Sequence, residues 1–154
     1  MIKKCIILAV KLKVRIIQLA GYDVYYEIKD NETRKWFFTN LKAGLKLANC
    51  YGVMIAIETM DDTFISSITK YLTIKKECPS PWLSVYPDVG NLTDWVGEEV
   101  TKEIAIGINE IVGFHLKDTI VVSSHHPDKF KKVPFGTGCV YFVKILQYLR
   151  TVNY

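Results

Sequence analysis

The sequence has few of the features that commit a chain to a specialised class. Its four cysteines, Cys5, Cys50, Cys78 and Cys139, are 45, 28 and 61 positions apart, so there is no CxxC pair and no close metal-ligand spacing. Free thiols in a reducing cytoplasm are the simplest account of them. No apolar run approaches the roughly 18 residues that a membrane helix needs. The N-terminal stretch Ile6-Ile-Leu-Ala-Val10 is interrupted by Lys11 and Lys13, with no small-residue cleavage site after it, which argues against a signal peptide. Histidine is scarce as well: His115 stands alone, and His125-His126 share one polar loop. Lys and Arg number 20 against 16 Asp and Glu, and the basic residues are scattered apart from pairs such as Lys3-Lys4, Lys75-Lys76 and Lys131-Lys132. A net charge of +4 spread in this way suits a small anion and excludes a nucleic-acid stripe.

What the chain does have is apolar mass. At 154 residues with 49% hydrophobic content, it is read as a single unit over 1–154 with material for a packed core. Its mean hydropathy of +0.13 is high for a small soluble domain. Short β-branched runs alternate with helical periodicity. Residues 1–12 have helical spacing, 14–20 read as a strand ending at Gly21, and Asp30 or Asn31 caps a helix running to about Asn49. Trp36, Phe37, Leu41, Leu45 and Ala48 form that helix's apolar stripe. The pattern repeats as strand 52–57 and helix 62–76, strand 82–86 and helix 93–108, and strand 111–115. A polar loop, 118–138, then leads to a helix at about 140–150. Four nearly continuous apolar strands separated by helices predict a parallel α/β sheet, in which ligands gather at the carboxyl ends of the strands.

Three metal-competent side chains fall at those ends. Glu58 follows Ile55-Ala-Ile57, Asp88 follows Leu83-Ser-Val-Tyr-Pro87, and His115 closes Ile111-Val-Gly-Phe114, one βα unit apart each time. Two carboxylates and an imidazole suit Mn²⁺, Mg²⁺ or Zn²⁺, and a carboxylate so placed doubles as a proton-transfer base. Each residue also has a structural reading: Glu58 as a helix cap, Asp88 as an Asx turn with Gly90 and Asn91, and His115 as a hydrogen-bonded core histidine. His125-His126, beside Pro127, read as a solvated loop. Tyr25-Tyr26 and Trp36 read as packing residues, and Lys117 as either a solvated lysine or a phosphate contact.

The blocks Val14-Arg-Ile-Ile-Gln-Leu-Ala-Gly-Tyr-Asp-Val-Tyr-Tyr26, Asn31-Glu-Thr-Arg34, Tyr86-Pro-Asp-Val-Gly-Asn91, His115-Leu-Lys-Asp-Thr119 and Val133-Pro-Phe-Gly136 resemble the L-ribulose-5-phosphate (L-xylulose-5-phosphate) 3-epimerase family of ascorbate utilisation. This family, also labelled hexulose-6-phosphate isomerase, belongs to the xylose-isomerase-like TIM barrels. The resemblance implies a divalent metal held by Glu, Asp, His and a second Glu from barrel strands five to eight, with Glu58, Asp88 and His115 matching the first three. It implies that one glutamate removes the C3 proton of a ketopentose phosphate to give an enediolate, and that the other returns it on the opposite face. The resemblance makes Glu58 one of that pair and places Asn91 where superfamily relatives often carry a substrate-contacting side chain.

The resemblance spans the helix before barrel strand four to the helix after strand seven, a partial TIM barrel of about four βα units without strands one to three and strand eight. The second glutamate therefore has no counterpart. Thr137 and Tyr141 stand where the family places acidic residues, the loop around Ser123–Asp128 is longer than usual, and Glu27, Glu32 and Glu98 follow no strand at the matching position. Two open sheet edges imply a homo-oligomer or a complementing chain, or a catalytically inactive remnant. A metal-dependent endonuclease of the same superfamily would need more histidines and a basic groove.

Overall fold

The computed structural model describes residues 1–25, 27–120 and 131–154. Helix α1 (Ile2–Leu12) ends where Lys13 turns left-handed, and the chain enters strand β1 (Ile16–Ala20). Helix α2 (Asn31–Tyr51) starts from Asp30, whose carboxylate accepts from the Thr33 N–H while the Thr33 hydroxyl accepts from the Asp30 N–H, a reciprocal cap. It stops at Gly52, whose φ of 66° is a conformation glycine tolerates best. Strand β2 (Met54–Glu58), helix α3 (Ile68–Glu77), strand β3 (Leu83–Tyr86) and helix α4 (Val89–Val96) complete the main repeats.

The three strands form a parallel sheet in the order β1-β2-β3, with Leu19 opposite Ile57 and Ile57 opposite Val85. Ile55, Ile57, Leu83 and Val85 are fully buried in one core with Leu41, Ile68, Tyr71, Leu92 and Ile104 from the helices. Period-two alternation sends Ile16, Gln18 and Ala20 to the other face, where all three are exposed. The parallel α/β architecture is the one expected from the strand and helix periodicities.

The details differ in four places. Residues 111–115 do not extend the ladder as a regular fourth strand: they meet β3 through isolated parallel bridges, Val85 with Ile111 and Asp88 with His115. Between those bridges the later segment advances four residues (115 − 111) against three (88 − 85), a one-residue bulge beside Pro87, which has no N–H for a ladder. The helix expected over 93–108 starts earlier, because Asp88 caps α4, and it is broken at Gly97 (φ 57°) into α4, a 3₁₀ turn over 97–99 and helix α5 (Val100–Gly107). The helix expected from 62 starts at Ile68, after the Ser67 cap. The polar loop carries an antiparallel pair, β4 (Asp118–Ile120) with β5 (Lys131–Val133), ahead of helix α6 (Phe142–Thr151).

Among the aromatics expected to pack, Trp36 is 60% exposed and Tyr25 61% exposed, while Phe37 is buried, as is its neighbour Phe38. Helix α2 places its apolar face one position away from Trp36. Tyr26 and His125-His126 lie outside the described residues. Among the described residues, no helix is long and apolar enough to cross a membrane.

Candidate metal and proton-transfer site

Glu58 is the last residue of β2, Asp88 follows β3 as the cap of α4, and His115 lies at the second bridge to β3. The fold brings all three to one end of the sheet. One ligand atom from each lies within 4.8 Å of the others, and no further acidic, histidine or cysteine residue joins the group among the described residues. His115 Nδ1 stands 2.5 Å from Glu58 Oε1, and the ring meets Tyr86 edge-on at 5.1 Å between centroids. Burial pushes the Glu58 carboxyl above its ordinary range, against the hydrogen bond and positive charge of His115 and against Lys117, with Asp88 adding to the rise.

The donor set fits a divalent ion. Two carboxylates and one imidazole are nitrogen and oxygen ligands of the kind divalent ions take, and the fold holds them in one cluster. The two oxygens of Asp88 have separate partners. Oδ1 accepts from the Asn91 N–H at 2.9 Å, closing the first turn of α4, while Oδ2 faces Lys117 Nζ at 3.5 Å. The cap thus occupies one oxygen of Asp88 and leaves the other toward Lys117.

The neighbouring polar residues are tied into the same corner. Asn91 is only 3% exposed; its Nδ2 donates to the Thr59 carbonyl at 2.9 Å and its Oδ1 accepts from Lys117 Nζ. Thr59, fully buried, accepts at its hydroxyl from the Asp88 N–H at 3.0 Å. The sequence offered one cue to Thr59, its position directly after Glu58, but a threonine there is equally ordinary in a strand. Thr137 and Tyr141 lie outside the cluster, the first bonded to the Pro134 carbonyl and the second 74% exposed beside a 450 Å³ cavity between α5 and α6. Glu27, Glu32 and Glu98 are exposed and also outside it.

Asp94 is a second residue that the sequence did not single out. Its Oδ2 accepts from the Thr119 hydroxyl at 2.9 Å, while Oδ1 is buried without a partner among the described residues. Burial raises its pKa to about 6, opposed by the Thr119 hydrogen bond and the charge of Lys117. A folded-state value above the ordinary 3.8 means that the folded protein holds this proton more tightly than the unfolded chain. The contribution is therefore full below about pH 4 and is lost as pH rises through about 6. Urea titrations across that window are expected to show a smaller fall for Asp94→Asn than for the wild type; identical curves would remove Asp94 as the source.

A family model for the xylose isomerase-like TIM barrel matches residues 1–154. The chain belongs to the xylose isomerase-like TIM barrel family. Among relatives, the putative L-ribulose-5-phosphate 3-epimerase SgbU of Escherichia coli is 48% identical over 151 residues, 98% of this chain and 52% of its own length. The chain spans about half the length of the curated relatives it matches. Among solved structures, the xylose isomerase domain protein of Planctomyces limnophilus superposes with a TM-score of 0.79 at 17% identity, over 99% of this chain and 54% of that one. A xylose isomerase-like TIM barrel protein of Mycobacterium smegmatis, in complex with magnesium, gives 0.74 at 16% identity, over 99% and 56%. In this xylose isomerase-like TIM barrel chain, β1, β2 and β3 make up one part of the barrel sheet.

Proposed function

We propose that the chain carries the metal-holding and proton-abstracting part of a sugar-phosphate 3-epimerase that interconverts L-ribulose 5-phosphate and L-xylulose 5-phosphate. The observation that carries this reading is the convergence of Glu58, Asp88 and His115 at the carboxyl ends of neighbouring parallel segments. The name of the E. coli relative and the magnesium of the M. smegmatis protein support it. Free thiols at all four cysteines support a cytoplasmic setting.

In this proposal Glu58, Asp88 and His115 hold a divalent ion, Mn²⁺, Mg²⁺ or Zn²⁺. When bound, such an ion supplies Lewis acidity that polarises the C2 carbonyl and C3 hydroxyl of a ketose and so acidifies the C3 proton. Glu58 takes that proton. The C–H electron pair moves into a C2–C3 double bond, and the C2 oxygen takes up the negative charge, giving an enediolate. Partial burial suits Glu58 to the task, since a carboxylate stripped of water is a stronger base. Asn91 and Lys117 form the polar wall beside Asp88. Reprotonation from the opposite face completes the epimerisation and needs a second acid.

A second reading is favoured by the absence of another glutamate from the cluster among the described residues and by the exposed face of β1, where Ile16 is 37% exposed. In it, the chain binds metal without turnover, or joins a copy or partner chain that completes the barrel. The two are separated by incubating the protein with L-ribulose 5-phosphate in D₂O, with and without Mn²⁺, and following deuterium at C3 by NMR. Mn²⁺-dependent exchange is the expected result. Calorimetric Mn²⁺ binding with no exchange selects the second reading, and absence of both overturns the metal site.

A further inference from the structure

We infer that Lys117 is a positioning residue that holds Asp88 and Asn91 in their working orientation, rather than a contact for the substrate's phosphate. The inference rests on the epimerase reading above and assigns a role within that same site. Lys117 is directed inward: its side chain is 20% exposed, its ammonium donates to Asn91 Oδ1, and it lies 3.5 Å from Asp88 Oδ2. Its charge also acts on Glu58 and Asp94, so one cation serves three carboxylates. The backbone makes room for this arrangement. A Cβ on Gly90 would stand 2.7 Å from the Lys117 carbonyl oxygen and 2.9 Å from its Cε, so glycine leaves space for the lysine stem to cross the start of α4.

The links form a closed circuit. Lys117 holds the Asn91 oxygen, Asn91 donates to the Thr59 carbonyl, the Thr59 hydroxyl accepts from the Asp88 N–H, and Asp88 Oδ2 faces Lys117 again. A circuit of this kind fixes a carboxylate's direction before an ion arrives, and loss of such supporting partners typically costs 10–100-fold in metal affinity. A phosphate anchor needs N–H donors left over for the anion, whereas the Lys117 ammonium already donates to Asn91 Oδ1 and faces Asp88 Oδ2.

The test compares wild type with Lys117→Met, which keeps the stem and removes the ammonium, and with Lys35→Met, which removes an exposed charge elsewhere. In metal-free protein, the Asn91 side-chain amide resonances are expected to shift and lose protection from exchange only in Lys117→Met. Mn²⁺ affinity measured by calorimetry is expected to fall at least 10-fold in that variant and to stay unchanged in Lys35→Met. Unaltered Asn91 resonances and Mn²⁺ affinity, with weakened binding of orthophosphate, would overturn the inference and make Lys117 a phosphate group.

If the wild type binds no Mn²⁺, the epimerase reading fails while the Asn91 resonances still decide the role of Lys117. If Lys117→Met does not fold, acetic anhydride labelling of the wild type, read by mass spectrometry, replaces it. Lys117 is then expected to react at least 10-fold more slowly than Lys35, and equal rates would overturn the inference.

Discussion

Glu58→Gln is expected to lower Mn²⁺-dependent deuterium exchange at C3 by about 10²- to 10⁴-fold, the usual contribution of a positioned general base. Glutamine keeps the size of the side chain and an oxygen that can accept from His115, now 2.5 Å from Glu58, so the change removes basicity with little effect on packing. The carboxylate is also a proposed metal ligand, and the two roles must be separated. Mn²⁺ affinity measured on the same sample does this: exchange at saturating Mn²⁺ reports the base, and the midpoint of the metal titration reports the ligand. Exchange persisting at the wild-type rate under saturation would remove Glu58 from proton transfer and leave it a ligand only.

The largest expected effect on stability lies at Asp118. It is 2% exposed, and its carboxylate accepts from four backbone N–H groups, those of Gly136 at 2.8 Å, Gly138 at 2.9 Å, Thr119 at 3.0 Å and Val140 at 3.2 Å. Burial alone would raise its pKa, but these donors outweigh burial and hold the group below its ordinary 3.8. The loop over 134–140 is thereby fastened to the start of β4, and Gly138 belongs to the same design. A Cβ there would stand 2.2 Å from Asp118 Oδ1.

Asp118→Ala leaves these donors without their acceptor inside the fold, and a loss of about 3–5 kcal/mol in unfolding free energy is expected from urea titration at pH 7. Asp118→Asn is expected to recover part of this, because its one remaining oxygen still accepts while its NH₂ faces other donors. The pH dependence follows from the depressed value. Stability from Asp118 is present above about pH 4 and is lost as pH falls through the folded-state pKa, so the difference between wild type and Asp118→Asn is expected to shrink in acid. A difference independent of pH would show that the clamp does not depend on the carboxylate's charge.

Asp118 also shows where sequence reading stops. The segment His115-Leu-Lys-Asp-Thr119 was legible as part of a resemblance, yet nothing in it says that Asp118 turns inward to backbone donors up to 22 positions away. The same holds for Asp94, which looks like a solvated helix residue until Thr119 and the α4 packing enclose it. Glu58 and Asp88 were legible for a definite reason. Glu58 closes an apolar run and Asp88 follows one across Pro87, and a parallel sheet sends such positions to one end.

By itself, the sequence determined the alternation of strand and helix, the parallel α/β class and the strand-end positions of Glu58 and Asp88, because apolar periodicity and turn residues act over a few neighbouring positions. Tertiary structure alone decided the bulge that turns 111–115 into isolated bridges, the inward turn of Lys117 toward Asn91 and Asp88, and the exposure of Trp36. Each of these depends on which distant segment occupies the adjoining space: Pro87 just after β3, Gly90 in the first turn of α4, and the layer that meets α2. Contacts between segments far apart in the chain leave no local periodicity to read, and they appear only once the sheet has brought those segments together.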